Sequence, residues 1–235
     1  RKSPSVAASV MITTDKCYEN KEWERGYKET DRLGGFDPYS SSKACAELLI
    51  KSFQNSYESE SLAISSVRAG NVIGGGDLSA DRLLPDIYRA IVSKQKIKLR
   101  NPMAIRPWQH VLEPLIGYLM VAEDLFESGH QNNDAWNFGP RASDIRTVAE
   151  IAKLFAGEWD VDNIVEEKNS QHYHEANMLS LDSTKAYSKL NWQPIWNVEV
   201  AIKKTAEWYQ DFEKKIDILD KTNQQIQEYI SAVKL

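Results

Sequence analysis

Two short apolar runs joined by one long helix constrain this chain more than any other feature. Residues 5–13, SVAASVMIT, are small or apolar throughout and read as a short buried strand. Residues 61–68, SLAISSVR, read as a second strand. Between them Pro38 sits where a helix begins, and Ala44, Leu48, Phe53 and Tyr57 follow at helical spacing. Strand, helix, strand in that order implies parallel pairing through a right-handed crossover. Ligands of such sheets bind outside the carboxyl ends of the strands. Thr14 follows the first run and Asn71 follows the second, so both are expected to face one crevice.

The residues at those ends carry chemistry. Thr14, Asp15 and Lys16 end the first run, and Tyr39 and Lys43 follow after a loop, spaced Tyr-x-x-x-Lys. Positions i and i+4 share a helix face, so these two side chains are neighbours. A free tyrosine titrates at about 10 and is a poor base at neutral pH; an ammonium one turn away favours the phenolate. A loose Tyr-x-x-x-Lys match means little alone. Here it follows a strand and a hydroxyl-bearing turn.

The rest of the chain reads as further alternating elements: a helix over 81–93, a strand at 97–99, a short strand in WQHVLE, bracketed by Pro107 and Pro114, entering a helix over 113–127, and a strand at 135–138. Further on come a helix over 147–155 capped by Thr147 or a neighbour, a short helix from Asp182, and a long amphipathic helix from Val198. KTNQQIQEYISAVKL is polar with sparse apolar residues and is expected to be a frayed helix or an interaction tail. Gly74, Gly75 and Gly76 read as a flexible loop, since no acidic residue and second strand follow them at the spacing of a dinucleotide fingerprint. Trp108 and His110 read as core residues. His172 and His174 are a weak metal signal without a third ligand, and no metal is expected.

The 235 residues suffice for one or two domains. A net charge of −5 argues against a nucleic-acid binder. Two cysteines, Cys17 and Cys45, without ligand spacing fit a reducing, cytoplasmic setting. No apolar run reaches the roughly 18 residues of a membrane span. The opening RKSPSVAASVMI imitates a secretory leader, but the run is short, lacks a starting Met and leads straight into TTDK.

The ordered segments TTDKCYEN, DPYSSSKACAELL, SSVRAGNVIGGGD, RLLPDIYRAI, IRPWQHVLEPLIGYLMVAE, WNFGP and HEANMLSLDSTKAYSKLNWQP resemble the extended short-chain dehydrogenase/reductase superfamily. Within it they are most similar to the CDP-glucose 4,6-dehydratases. The likeness runs from about residue 5 to about residue 210. It implies an α/β fold: a doubly wound parallel Rossmann-type sheet with a smaller mixed α/β substrate-binding region. Residues 1–72 would belong to the NAD-binding part and 73–235 mainly to the substrate part, with elements near 105–140 returning to the sheet. The chain contains no G-x-G-x-x-G or related fingerprint for the NAD pyrophosphate and does not begin with Met. It is therefore expected to be a C-terminal portion of a longer enzyme whose first nucleotide-binding half is absent.

The resemblance also implies roles. Thr14, Asp15, Lys16, Tyr39 and Lys43 would be catalytic. Tyr39, Lys43, Ala69 and Asn71 would meet NAD, and Asn71, Leu84, Arg106, His174 and Glu175 the nucleotide sugar, with Arg106 on the diphosphate. Tyr39 would take the proton of the sugar's 4-hydroxyl, Lys16 the carbon-5 proton, and Asp15 would protonate the departing 6-hydroxyl. The related dTDP-glucose dehydratases carry Asp-Glu where this chain has Asp15-Lys16. The implied activity is conversion of CDP-glucose to its 4-keto-6-deoxy form for deoxysugar and surface-polysaccharide synthesis, by a cytoplasmic enzyme that is a homodimer when full length. A nucleotide-sugar epimerase would keep Tyr39 and Lys43 without using Asp15-Lys16. A non-catalytic remnant or interaction module would use none of them.

Overall fold

The computed structural model describes residues 5–57, 63–166 and 178–233. Their elements are β1 (Ala8–Ile12), α1 (Pro38–Ser56), β2 (Ala63–Ala69), β3 (Asn71–Ile73), α2 (Leu83–Val92), β4 (Ile97–Leu99), β5 (Ile105–Arg106), β6 (Trp108–His110), α3 (Leu112–Ser128), β7 (Ala135–Phe138), β8 (Arg146–Thr147), α4 (Val148–Gly157), β9 (Ile164–Glu166), α5 (Thr184–Leu190), α6 (Val198–Glu213) and α7 (Ile218–Ala232). Helix starts follow local chemistry. Asp37 caps α1 by accepting from the Ser40 N–H at 3.0 Å and the Ser40 hydroxyl at 2.6 Å, and Pro38 follows in the first turn. Thr147 and Glu150 close a reciprocal capping box on α4.

The chain divides into two units. Unit 1 takes its described residues from Arg1–Gly70, Glu113–Gly139 and Leu179–Gln193. Its sheet runs β1-β2-β7, all parallel, with Ile12 beside Val67 and Ala69 beside Phe138. Alternate residues of β2 serve opposite faces, as the pleat requires. Ala63 and Val67 join a core of Val121 and Leu125 from α3, Trp136 and Phe138 from β7, and Trp192. Ser66 and Arg68 turn the other way and meet Glu47 of α1. Helices thus cover both faces, the doubly wound arrangement. The first strand, read as buried, is open at its end: Met11 is 43 % and Ile12 60 % exposed. The reason is the strand's place at an edge, where no described strand pairs with its outer side.

Unit 2 takes its described residues from Asn71–Leu112, Pro140–Met178 and Pro194–Leu235. It contains the parallel pairs β3–β6 and β4–β9 and the antiparallel pair β5–β8. Ile87, Ile97, Leu99, Trp108, Ile151, Phe155, Ile202 and Tyr209 form its core. The glycine run after β3 has a packing reason beyond loop freedom: a Cβ on Gly75 would lie 2.0 Å from Cγ of Trp208. The polar C-terminal stretch is no frayed tail. It forms α7, which packs on α6, buries Tyr229 and Gln225, and ties Lys221 to Glu207 at 3.2 Å and to Asp211 at 3.3 Å. Paired charges join that seam beside Ile218 and the buried Tyr229 ring.

Candidate active site

Thr13 ends β1 by donating its N–H to the Val67 carbonyl at 2.9 Å, so the next residue leaves the sheet at its carboxyl end. Thr14 then caps a one-turn 3-10 helix, Asp15–Cys17. Its hydroxyl donates to Asp15 Oδ1 at 3.0 Å and accepts the Lys16 N–H at 3.4 Å. Asp15 is only 4 % exposed. Helix α1 packs against this turn. Tyr39 lies in the first turn of α1 with its side chain half open to solvent. Lys16 Nζ and Lys43 Nζ each stand 5.8 Å from the centre of the Tyr39 ring. The structure therefore brings Thr14, Asp15, Lys16, Tyr39 and Lys43 together in unit 1. Ala69, buried, ends the neighbouring strand. Asp37 adds a carboxylate held below its usual range by the Ser40 hydroxyl and amide, with a smaller contribution from the Lys16 charge.

Beneath the turn lies a polar network that the sequence reading missed. Glu47 and Arg68 form an ion pair at 2.6 Å with side chains 2 % and 4 % exposed. Glu47 also accepts from the hydroxyls of Thr13 and, at 2.7 Å, Ser66. Burial pushes the Glu47 carboxyl up, but Arg68 and these hydroxyls outweigh it and hold it below its ordinary value. Burial works against the Arg68 charge, yet Glu47 keeps the guanidinium more firmly protonated than usual. Arg68 Nη1 donates to the Tyr18 hydroxyl at 2.7 Å, and Tyr18 donates to Asn137 Oδ1 at 2.8 Å. The signal was present: Glu47 falls four residues after Lys43, continuing the Tyr39-Lys43 spacing along the helix.

The remaining candidates belong to unit 2 or lie outside the described residues. Asn71 opens β3, paired with Trp108. The side chain of Leu84 belongs to the core, 3 % exposed, so only its backbone in the first turn of α2 is open to a ligand role. Arg106 stands directly opposite Arg146 in the β5–β8 pair. His174 and Glu175, like His172, lie outside the described residues. Among the described residues no group of three His, Cys, Asp or Glu could hold a metal, and no helix is long and apolar enough to cross a membrane.

His110 is buried, accepts the Leu112 N–H on Nδ1 at 3.3 Å and meets Trp196 edge-on. Burial pulls its pKa down to about 4, with a smaller push from Lys204. The folded value lies below the unfolded one, so the folded state binds fewer protons between the two. Stability from neutral His110 is complete above about pH 6.5 and drains away as pH falls toward 4, by up to about 3 kcal/mol. Urea unfolding of the parent and His110→Gln should show this: the parent loses stability between pH 7 and 5, and the variant loses less over that interval.

With the geometry in place, comparison with known proteins assigns the chain. The family model described as GDP-mannose 4,6 dehydratase matches residues 6–205. The chain belongs to the GDP-mannose 4,6 dehydratase family. CDP-glucose 4,6-dehydratase of Salmonella typhimurium is 44 % identical over 234 residues, which cover 97 % of this chain and 65 % of that protein. Among solved structures, dTDP-glucose 4,6-dehydratase of Bacillus anthracis in complex with NAD matches with TM-score 0.73 at 19 % identity, over 88 % of this chain and 63 % of that one. A dTDP-glucose 4,6-dehydratase double mutant of Streptomyces venezuelae with NAD bound matches with TM-score 0.76 at 19 % identity, over 90 % and 62 %. These two likenesses show the fold, a Rossmann-type parallel sheet. This member of the GDP-mannose 4,6 dehydratase family thus spans just under two thirds of the length of these relatives.

Proposed function

We propose that this chain carries the chemical centre and the sugar-binding side of an NAD-dependent CDP-glucose 4,6-dehydratase. The observation that carries the reading is the placement of two ammonium groups, Lys16 and Lys43, 5.8 Å from one half-exposed tyrosine ring, beside a buried acid. A reductase or epimerase needs the hydroxyl, the tyrosine and one lysine. Asp15 and Lys16 are the extra proton donor and acceptor that elimination of water requires. The 44 % identity with the Salmonella enzyme supports CDP-glucose as the substrate.

In this reading Tyr39 takes the proton of the sugar 4-hydroxyl, with Lys43 beside its ring and Thr14 holding the hydroxyl in place. NAD, when bound, would accept the hydride of carbon 4 and give it back to carbon 6 after water has left, so the product forms with no net oxidation or reduction. Lys16 takes the carbon-5 proton, which a neighbouring ketone makes acidic, and Asp15 protonates the 6-hydroxyl as it leaves. Unit 1 is the dinucleotide side. Tyr39, Lys43 and Ala69 suit the nicotinamide end, while no glycine fingerprint for the pyrophosphate occurs in the sequence. Unit 2 is the sugar-nucleotide side, with Asn71, the Leu84 backbone and Arg106; His174 and Glu175, which the resemblance adds, lie outside the described residues. A guanidinium suits two-point contact with a diphosphate, which is the reason for assigning Arg106 as its clamp.

Self-association accompanies this reading, as a homodimer in the longer enzyme. Helix α1 exposes Leu48, Leu49 and Phe53, and α3 exposes Leu115, Leu119 and Phe126. We place the protein in the cytoplasm, where its two unpaired thiols, Cys17 and Cys45, persist.

The test joins this chain to the part of the Salmonella enzyme that it does not span. With NAD, the chimera should convert CDP-glucose to a product lighter by one water. A folded chimera that returns CDP-glucose unchanged, or its 4-epimer, overturns the reading. The 235-residue chain alone should be inactive, should self-associate, and should hold NAD no tighter than about millimolar, because one end of a dinucleotide seldom offsets the freedom lost on binding. Micromolar NAD binding by a monomeric chain in calorimetry would contradict this.

A further inference from the structure

We infer that the buried Glu47–Arg68 pair is a positioning device that sets the Thr14–Lys16 turn against Tyr39 and Lys43. The inference rests on the dehydratase reading above and deepens it. The turn leaves the sheet after Thr13 and ends at Tyr18, and the same ion pair grips both flanks. Glu47 accepts the Thr13 hydroxyl, and Arg68 donates to the Tyr18 hydroxyl at 2.7 Å. Thr13 is held a second time through its N–H on Val67, and Tyr18 a second time through Asn137. Thr14, Asp15 and Lys16 thus lie between two anchored residues, followed by Cys17, which is buried and accepts the Gly34 N–H at 2.9 Å.

The third attachment is the helix. Glu47 lies one turn after Lys43 and two after Tyr39, and its second oxygen bonds Arg68 and Ser66 of β2. One carboxylate therefore fixes the rotation of α1 over the sheet and the exit path of β1. The equal approach of Lys16 and Lys43 to the Tyr39 ring depends on both.

Packing alone does not call for this arrangement. Apolar groups of the same volume would cover this face at equal or better stability, since a buried ion pair seldom repays its desolvation. Directional bonds supply what apolar contacts do not, a fixed geometry. A displacement of about 1 Å between catalytic groups can cost on the order of 100-fold in rate. Glu47 and Arg68 touch no substrate in this scheme; they act through Thr13, Tyr18 and α1.

The test spares the ion pair, whose loss could unfold the protein. Thr13→Val removes the hydroxyl on Glu47, Tyr18→Phe removes the hydroxyl on Arg68, and Thr13→Ser keeps the bond. In the NAD-loaded enzyme completed as above, Thr13→Val and Tyr18→Phe should each lower kcat for CDP-glucose by about 10-fold or more with KM within about threefold, and Thr13→Ser should recover most of the loss. Unchanged kcat in both variants overturns the inference. Amide hydrogen exchange on the same proteins separates it from the dehydratase reading. Thr13→Val should speed exchange at Lys16, Cys17 and Tyr18 by about 10-fold and leave the β2 amides unchanged, whatever the enzyme catalyses. If the parent shows no dehydratase activity, that reading falls while faster exchange confined to the turn still supports positioning. Unaltered exchange, or faster exchange spread through β2 and α1, overturns it.

Discussion

Tyr39→Phe should lower kcat for CDP-glucose by about 1,000-fold in the completed enzyme while leaving substrate affinity within about threefold. A positioned proton acceptor contributes roughly 100- to 10,000-fold, and the phenylalanine ring fills the same space without the ionisable oxygen. The loss corresponds to about 4 kcal/mol of transition-state stabilisation. Stability should hardly move, because the Tyr39 side chain is half exposed in the first turn of α1 and surface changes of this kind stay within about 0.5 kcal/mol. The two measurements together separate chemistry from folding. Turnover within a few-fold of the parent, at unchanged Tm, would remove Tyr39 from the role of base.

Lys16→Met should stop elimination while sparing binding. Methionine keeps the length and the apolar stem of the side chain and loses the amine that takes the carbon-5 proton. Turnover should fall by about 100-fold or more. CDP-glucose carrying deuterium at carbon 5 gives the sharper readout. The parent should exchange the label for solvent hydrogen during turnover; the variant should return substrate with its label intact. Lys16→Glu restores a proton acceptor of different charge and should recover part of the activity. Loss of the carbon-5 label in Lys16→Met at the parental rate would assign that proton to another group. Lys16 approaches the Tyr39 ring as closely as Lys43 does, so Lys43→Met is the necessary control: it should impair the first proton transfer as well.

Much of the sheet and the catalytic turn was legible because its determinants are local. An apolar run, a capping aspartate followed by Pro38, and a second run after the helix specify β1, α1 and β2 through backbone preferences and side-chain period alone. Tyr39 and Lys43 are one turn apart whatever the rest of the chain does, and Thr14–Lys16 follow the first strand by sequence adjacency. Resemblance supplied the roles, and the family match bears on the family alone. The helices α2, α4 and α6 were visible for the same local reason.

What only the tertiary structure decided depends on residues far apart in sequence. Glu47 and Arg68 are 21 positions apart, and either looks like an ordinary surface charge until β2 turns Arg68 under α1 and removes both from water. Tyr18 and Asn137, 119 positions apart, meet only because β7 lies beside β2. The return of Leu179–Gln193 to unit 1 left no mark in composition, since Trp192 reads as any buried aromatic until it packs on Phe138. Helix α7 looked too polar to order because its partners, Glu207 and Asp211 on α6, lie outside any local window. Local periodicity specifies elements. Which buried charge finds its partner is settled by the pairing of strands, because only that pairing excludes water from both.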